Sequence, residues 1–242
     1  ASLYIGGCSL GRHATNVTNE QNGMEGAYRY DRVVCNGRKT TKQKMRLTDA
    51  IRSARWDVVT IQQASHLSWK KESYHPWGDI LVATVRQLAP QAKIIVQQTW
   101  SYTPFAAPLS KWKITQDEMY ARLDDAYRDF AGAYGFDVIR MGRAVQEWRK
   151  RLPVAYGERS FGGDVVGGRH KRPEGQFKRG ADGKWIVDSD TTHLNERGEY
   201  LQALVWAVKL LDADIERLSA HPDCVTDAED RLMRKIAREV AR

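Results

Sequence analysis

Short apolar runs alternate with helical segments along most of the chain, and this alternation restricts the folds open to it. One helical segment, Asp79–Leu88, ends just before Pro90 and leads into the third of these runs. Strands that alternate with helices predict an α/β protein, a three-layer α/β/α sandwich around a mainly parallel five-stranded sheet. The four predicted core strands are Ser2–Ile5, Val58–Ile61, Ile94–Val96 and Val138–Ile139.

A hairpin is predicted between the first two of these strands. Tyr28–Cys35 and Arg38–Lys44 have the composition of extended segments, and Asn36 with Gly37 between them is typical of a tight hairpin turn. We expect the first arm of this hairpin to supply the second strand of the main sheet.

Three helices are indicated by their caps and apolar faces. The clearest starts at Thr115, where Thr-Gln-Asp-Glu forms a capping box. A second helix is predicted over Glu196–Leu211, and Thr226 is expected to cap a last, charged helix. The apolar face of the first consists of Met119, Leu123, Ala126 and Phe130.

The chain has the length of one domain. Its 242 residues, of which 42% are hydrophobic, predict a single α/β domain spanning 1–242. No apolar run approaches the ~18 residues that a membrane span needs, and no charged-then-apolar leader precedes the first strand. We therefore expect no membrane span, and either a secreted or periplasmic protein whose signal has been removed or a trimmed chain.

Metal and cofactor chemistry is not indicated. Cys8, Cys35 and Cys224 are too few and too scattered for a disulfide framework or a zinc site, although one pair can bridge in an oxidising compartment. The loop from Gly6 to Gly11 lacks the Gly-Lys-Ser/Thr ending of phosphate loops, so no nucleotide cofactor is implied.

A basic, glycine-rich segment at about 149–187 breaks the periodicity and is predicted to be a long loop or lid. The net charge of +8 favours acidic partners, and Arg169 in this segment is a candidate for binding an anionic substrate. The alternative is an ordinary solvated surface. Because no nucleic-acid-binding motif accompanies the cations, we expect a glycan rather than a specific nucleic acid.

Ser9 is the candidate nucleophile. Gly7-Cys8-Ser9-Leu10-Gly11 follows the first strand directly, which predicts a tight strand-to-helix turn with an exposed hydroxyl. The backbone N–H groups of Ser9 and Leu10 are candidate oxyanion donors. Only eight residues precede Ser9, too few for the strands that precede the nucleophile elbow of an α/β-hydrolase.

Asp190 and His193 are the candidate base system. They lie three residues apart just before a predicted helix, so both can face one site. A serine hydroxyl needs an imidazole to accept its proton, and the imidazole needs a partner to fix its tautomer. That partner is either Asp190 or a backbone carbonyl. The alternative is that Asp190 only caps a turn and His193 is a surface histidine.

The early serine and the late Asp-x-x-His together resemble the SGNH (GDSL-like) hydrolase superfamily. Three segments look like a secreted bacterial branch of it: Ile5 to His13, Trp56 to Ser65 and Gln98 to Tyr102. The resemblance spans nearly the whole chain. It implies a flavodoxin-like α/β/α fold, no metal or cofactor, and cleavage of an acyl ester through an acyl-serine.

The chain departs from that superfamily at the oxyanion hole. Where a Gly-x-Asn-Asp motif usually follows the second core strand, this chain has Gln62 and Gln63. A glutamine amide can donate the same hydrogen bond, so Gln63, or second Gln62, takes that role; the alternative is a structural network at the strand end. No residue matches the oxyanion glycine.

Three further side chains are candidates for substrate binding. Trp100 and Tyr102 follow the third core strand and can stack on a sugar ring or an aromatic acyl group, with core packing as the equal alternative. His13, four residues after Ser9, can face the site or pack in the interior.

Three functions fit these residues. The first is a serine esterase that removes an acyl group, such as acetyl, from a small-molecule or glycan ester. The second passes the acyl group to a sugar hydroxyl instead of water. The third is a glycan- or polyanion-binding module without catalysis on the same scaffold.

Overall fold

The computed structural model describes residues 2–4, 6–24, 30–36, 38–152, 155–157, 160–168, 177–179, 185–187 and 190–242. The chain forms two compact units. The first contains residues 1–99 and 125–138, and the second contains residues 100–124 and 139–242.

The first unit begins with a three-stranded antiparallel sheet, in the order β1-β2-β3. Strand β1 (Ser2–Tyr4) leads into helix α1 (Leu10–Gln21), and β2 (Tyr30–Asn36) and β3 (Arg38–Met45) form the expected hairpin. Ile5, predicted to end the first strand, and Gly37 in the turn lie outside the described residues.

A second sheet has the order β4-β5-β6 and contains the other predicted strands. Strand β4 (Val58–Ile61) pairs in parallel with β5 (Lys93–Gln97), and β6 (Asp137–Ile139) follows. The five-stranded, mainly parallel sheet is wrong for the described residues. The physical reason is that β1 pairs antiparallel with β2, so neither strand joins the parallel sheet.

Helices α1, α2 (Leu47–Arg52) and α3 (Trp77–Leu88) pack on one another in the first unit. The beginning of α3 is held closely, because a Cβ on Gly78 would lie 2.5 Å from Cε2 of Phe130. Phe130 belongs to helix α5 (Gln116–Gly132). The predicted capping box at Thr115 is confirmed, with Thr115 and Glu118 bonded in both directions, and so is its buried face of Met119, Leu123, Ala126 and Phe130.

The second unit is mainly helical. Besides α4 (Ala107–Trp112), it contains α6 (Met141–Arg151), α7 (Glu196–Leu211) and α8 (Asp227–Ala241), of which the last three pack together. The bounds predicted for α7 are confirmed, and Thr226 forms a capping box at the start of α8.

The segment predicted as a long loop at about 149–187 contains regular structure. Its first residues belong to α6, and two short two-stranded antiparallel sheets follow. Their strands are β7 (Ala155–Gly157), β8 (Ser160–Gly162), β9 (Phe177–Arg179) and β10 (Trp185–Val187). Arg169 lies outside the described residues.

Within the described residues, the search for a helix long and apolar enough to cross a membrane finds none.

Candidate active site

Asp190 and His193 form a hydrogen-bonded pair in the second unit. The Nδ1 atom of His193 lies 2.6 Å from Oδ2 of Asp190. The other carboxylate oxygen accepts from the backbone N–H groups of Thr192 and His193, at 2.8 and 3.0 Å. With its Nδ1 proton held by the carboxylate, a neutral imidazole presents an unprotonated Nε2. The His193 side chain is 65% exposed, so solutes can reach it.

The carboxylate of Asp190 is kept ionised by this arrangement. Burial acts to raise its pKa, but hydrogen bonds from the N–H groups of Thr192 and His193 and from the imidazole outweigh burial, so the pKa lies below its ordinary value. An ionised Asp190 fixes the orientation of the ring and stabilises the imidazolium that forms when Nε2 accepts a proton.

The turn that carries this pair is held by hydrogen bonds from other segments of the second unit. All four of its backbone carbonyls, from Asp190 to His193, accept a hydrogen bond from another segment. The donors are the N–H groups of Gly168 (to Asp190, 3.0 Å), Thr103 (to Thr191, 3.0 Å) and Gly167 (to His193, 2.8 Å), and the indole Nε1 of Trp100 (to Thr192, 2.8 Å). A base held in this way is preorganised for proton transfer.

Gly167 has both the backbone and the space that this anchor requires. Its φ is +86°, and a Cβ would lie 3.1 Å from the carbonyl oxygen of Asp190 and 3.1 Å from Cγ2 of Thr103. Asn195, the N-cap of α7, donates from Nδ2 to the Gly167 carbonyl at 3.1 Å. Residues 163–168, which the sequence places inside a lid, therefore anchor the turn. The only sequence signal for this was the Gly167-Gly168 pair, which favours a left-handed backbone.

A buried ion pair bonds to residues that neighbour the donors to this turn. Arg149 bonds both carboxylate oxygens of Asp164 at 3.2 and 3.0 Å, and the two side chains are 6% and 0% exposed. Arg149 also donates to the Ser101 carbonyl and hydroxyl, and the Asp164 carbonyl accepts from Asn195 at 2.7 Å. The sequence predicts Arg149 at the start of a long basic loop or lid. Its guanidinium is instead buried and joins α6 to the segments of Ser101 and Asp164.

Ser9 lies in the first unit, at the start of α1. It is the N-cap residue, and its Oγ accepts from the backbone N–H of Arg12 at 3.2 Å. Gly7 allows the turn before it with a φ of +61°. Because Oγ is an acceptor in this cap, its O–H remains able to donate to a base.

Gln63 is part of a buried network under this turn. It is 1% exposed, its Oε1 accepts from the N–H of Leu10 at 3.0 Å, and its Nε2 donates to the carbonyl and hydroxyl of Ser73. Since these partners occupy both the Gln63 amide and the Leu10 N–H, the geometry favours the structural alternative over the oxyanion roles suggested for them. Gln62 is exposed at the end of β4.

His13 belongs to a cluster of polar groups in the first unit. Its Nδ1 lies 2.8 Å from the hydroxyl of Tyr30, its ring stacks on Tyr30, and Asn16 donates to the same hydroxyl at 2.7 Å. Burial, with a smaller effect from the charge of Arg12, lowers the pKa of His13 to about 4. This geometry favours the packed alternative over substrate binding. Cys8 lies 3.6 Å from the same nitrogen and, like Cys35 and Cys224, is free.

The two aromatic candidates after β5 have different roles. Tyr102 is 4% exposed and packs on Trp112 with ring centroids 5.8 Å apart, which agrees with the core alternative rather than with a substrate platform. Trp100 is half-buried, and its indole holds the Thr192 carbonyl as described.

The comparisons with known proteins agree on one family. Residues 1–159 match the family described as Domain of unknown function (DUF4886). The crystal structure of a DUF4886 family protein from Bacteroides uniformis ATCC 8492 is similar, with a TM-score of 0.70 and 25% identity, over 99% of this chain and 80% of that chain. No curated protein matches the chain. Ser9 and Gln63 fall within the matched region, and the Asp190–His193 pair follows it.

Proposed function

The chain belongs to the DUF4886 family, and we propose that it is a serine esterase of the SGNH type that hydrolyses an acyl ester on a carbohydrate. Ser9 is the nucleophile in this proposal, and the Asp190–His193 pair is its base system. The finer expectation of an SGNH-type α/β/α sandwich is part of the same proposal.

The observation that carries the proposal is the Asp190–His193 pair. The 2.6 Å contact between His193 and Asp190 is accompanied by two backbone donors to the carboxylate and by four external donors to the carbonyls of the turn. Together these features supply an oriented imidazole with one nitrogen open to a substrate or a nucleophile.

The chemistry follows from these groups. Nε2 of His193 accepts the Ser9 hydroxyl proton while Oγ attacks the ester carbonyl carbon, and the resulting oxyanion collapses to an acyl-serine. The alcohol leaves with the proton from His193. Water then gives a proton to Nε2 and attacks the acyl-serine carbonyl carbon. The bond to Oγ breaks, the acid is released, and His193 returns the proton to Oγ, which restores both Ser9 and the neutral imidazole. The N-terminal end of α1 favours the negative charge that develops near Ser9.

A fluorophosphonate probe tests the proposal, because it labels only an activated serine. We expect an adduct on Ser9 by mass spectrometry and a loss of about 100-fold or more in labelling rate for His193→Ala. A matched control is His221→Ala, because His221 also pairs with a carboxylate, at 3.0 Å from Asp227. Wild-type labelling of His193→Ala, or labelling at another serine, would reject this assignment.

A second candidate is binding of a polyanion, and one feature of α8 favours it. Arg231, Lys235 and Arg238 are exposed at spacings that place them on one face of the helix. Arg238 also pairs with Glu216 at 3.0 Å, which leaves Arg231 and Lys235 as the main cations of this face. The opposite face, which includes Met233 and Ile236, is buried. Such a stripe can follow a chain of carboxylates or sulfates.

Heparin chromatography tests this second function. For Arg231→Gln/Lys235→Gln we expect elution at a clearly lower salt concentration than for Arg55→Gln/Lys111→Gln, which removes two other exposed cations. Equal elution of the two double variants would show that only net charge matters and would count against a site on α8.

A further inference from the structure

An exposed indole lies next to the turn that carries Ser9. Trp77, the first residue of α3, is 40% exposed. A Cβ on Gly11 would lie 3.4 Å from Cδ1 of this indole and 3.5 Å from its Nε1. The ring therefore rests against the first turn of α1, two residues after Ser9, where the missing side chain of Gly11 makes room for it.

The start of the helix that carries this indole is held by neighbouring residues. The next residue, Gly78, packs against Phe130 so closely that a Cβ would meet the ring at 2.5 Å. Asp79 accepts from Tyr134 and lies 2.8 Å from Nδ1 of His75. These contacts fix the start of α3, and with it the backbone position from which the Trp77 side chain reaches Gly11.

Three other aromatic groups near this helix are used in packing. Tyr74, Tyr127 and Phe130 are each at most 1% exposed, and Tyr74 contacts Tyr127 edge-on and Phe130 at a tilt. Trp77 differs, because part of its ring faces solvent and no hydrogen bond to its Nε1 is found in the described part of the chain. The Trp77 indole thus presents an apolar face and an N–H donor next to the turn that carries Ser9.

We propose that Trp77 is a binding platform for a pyranose ring of the substrate. A sugar presents C–H groups that stack on an indole and hydroxyl oxygens that accept from Nε1, whereas an aromatic acyl group would leave that donor unused. The role rests on the proposed function in one respect, namely that the bound sugar carries the ester that Ser9 attacks. Trp77 binds and orients this sugar and takes no part in proton transfer.

Acetate release from two esters tests the platform. Methyl 6-O-acetyl-β-glucopyranoside has a ring to stack and free hydroxyl groups to accept from Nε1, and ethyl acetate has neither. For Trp77→Ala we expect the ratio of kcat/KM for the sugar ester to that for ethyl acetate to fall about tenfold, mainly through KM. Trp77→Phe keeps a ring without the donor and is expected to lose only about threefold.

Met24→Ala is the matched control, because Met24 is 54% exposed and follows the opposite end of α1. This variant is expected to keep the wild-type ratio. A wild-type ratio in Trp77→Ala, or an equal loss in Met24→Ala, would overturn the platform.

A binding measurement separates failure of the platform from failure of the esterase. Saturation-transfer NMR on Ser9→Ala protein reports contact with methyl β-glucopyranoside without any turnover. Loss of that signal in Ser9→Ala/Trp77→Ala supports the platform even if no serine is labelled by a fluorophosphonate. Conversely, Ser9 labelling together with a sugar signal that does not depend on Trp77 would leave the esterase standing and overturn the platform.

Discussion

At the scale of single residues, two tryptophans make the same kind of hydrogen bond, from an indole N–H to a backbone carbonyl. The indole of Trp100 donates to the Thr192 carbonyl in the turn of the candidate base, and the indole of Trp56 donates to the Ile51 carbonyl at the end of α2, both at 2.8 Å. The two bonds have similar worth for folding, but only the first bears on the position of His193.

Replacing Trp100 by Phe should therefore affect reactivity more than stability. We expect a loss of about 1 kcal/mol in the free energy of unfolding, the usual worth of one hydrogen bond, and a roughly tenfold slower labelling of Ser9, because the turn loses one anchor. Trp56→Phe should show the same loss of stability with an unchanged labelling rate. If both variants label at the wild-type rate, Trp100 is only a packing residue.

His13 makes stability depend on pH. Its pKa is about 4 in the folded protein and about 6.5 when unfolded. The unfolded chain therefore binds the proton first as pH falls, and stability decreases between pH 6.5 and 4 by at most roughly 3 kcal/mol.

Urea unfolding across that pH range measures this effect. His13→Gln should flatten the profile, whereas His66→Gln, which replaces an exposed histidine, should leave it unchanged. A profile in His13→Gln that is as steep as in wild type would place the dependence in other groups.

At the scale of elements, the least regular segment is the one that shapes the candidate site. Residues 163–168 form neither a helix nor a strand, yet they contact the base turn through Gly167 and Gly168. Sequence patterns identify helices and strands through periodicity, and a segment held by backbone hydrogen bonds to a distant turn has none. This is why the segment was predicted to belong to a lid.

Substitutions at two glycines of this segment distinguish the effect of backbone strain from that of close packing. Gly163 and Gly167 have φ values of +82° and +86°, but a Cβ on Gly163 would meet nothing within 4 Å. We expect Gly163→Ala to cost about 1 kcal/mol through its backbone alone. Gly167→Ala should cost about 2–3 kcal/mol, because it adds contacts with the Asp190 carbonyl and Thr103.

The same pair distinguishes effects on the site. Labelling of Ser9 should slow in Gly167→Ala and stay near the wild-type rate in Gly163→Ala. Equal melting temperatures and equal labelling rates for the two variants would mean that the fit at Gly167 has no special role.

At the scale of the whole molecule, the sequence predicts single strands, helices and caps well, but it does not predict which distant segments pair with one another. The strand at Val58–Ile61, the capping box at Thr115 and the bounds of α7 follow from periodicity and cap chemistry. The sheet failed because strand pairing depends on the partner: β1 is apolar enough for a parallel sheet but pairs antiparallel with β2. The pairing of Asp190 with His193 follows from their spacing of three residues, whereas Trp100 and Gly167 have no local signal that relates them to this turn.

Removing one member of the buried pair of Arg149 and Asp164 is expected to destabilise the protein more than removing both. Arg149→Met leaves the buried Asp164 carboxylate without the guanidinium, which costs about 3–5 kcal/mol. Arg149→Met/Asp164→Leu removes both charges and should recover most of that loss. Chemical denaturation of the two variants measures the difference, and a double variant no more stable than the single one would show that neighbours such as Ser101 need the guanidinium itself.

The anchors of the base turn also bear on how this protein can tolerate change. They bind the carbonyl oxygens of Asp190, Thr191, Thr192 and His193, which every amino acid provides. A substitution at Thr191 therefore leaves all four bonds possible. The side chains that this position tolerates are limited by the room that the neighbouring residues leave. The shape of the turn depends instead on Trp100, Thr103 and Gly167, which lie elsewhere in the chain. A related protein can therefore have different side chains in the turn and still keep its backbone geometry.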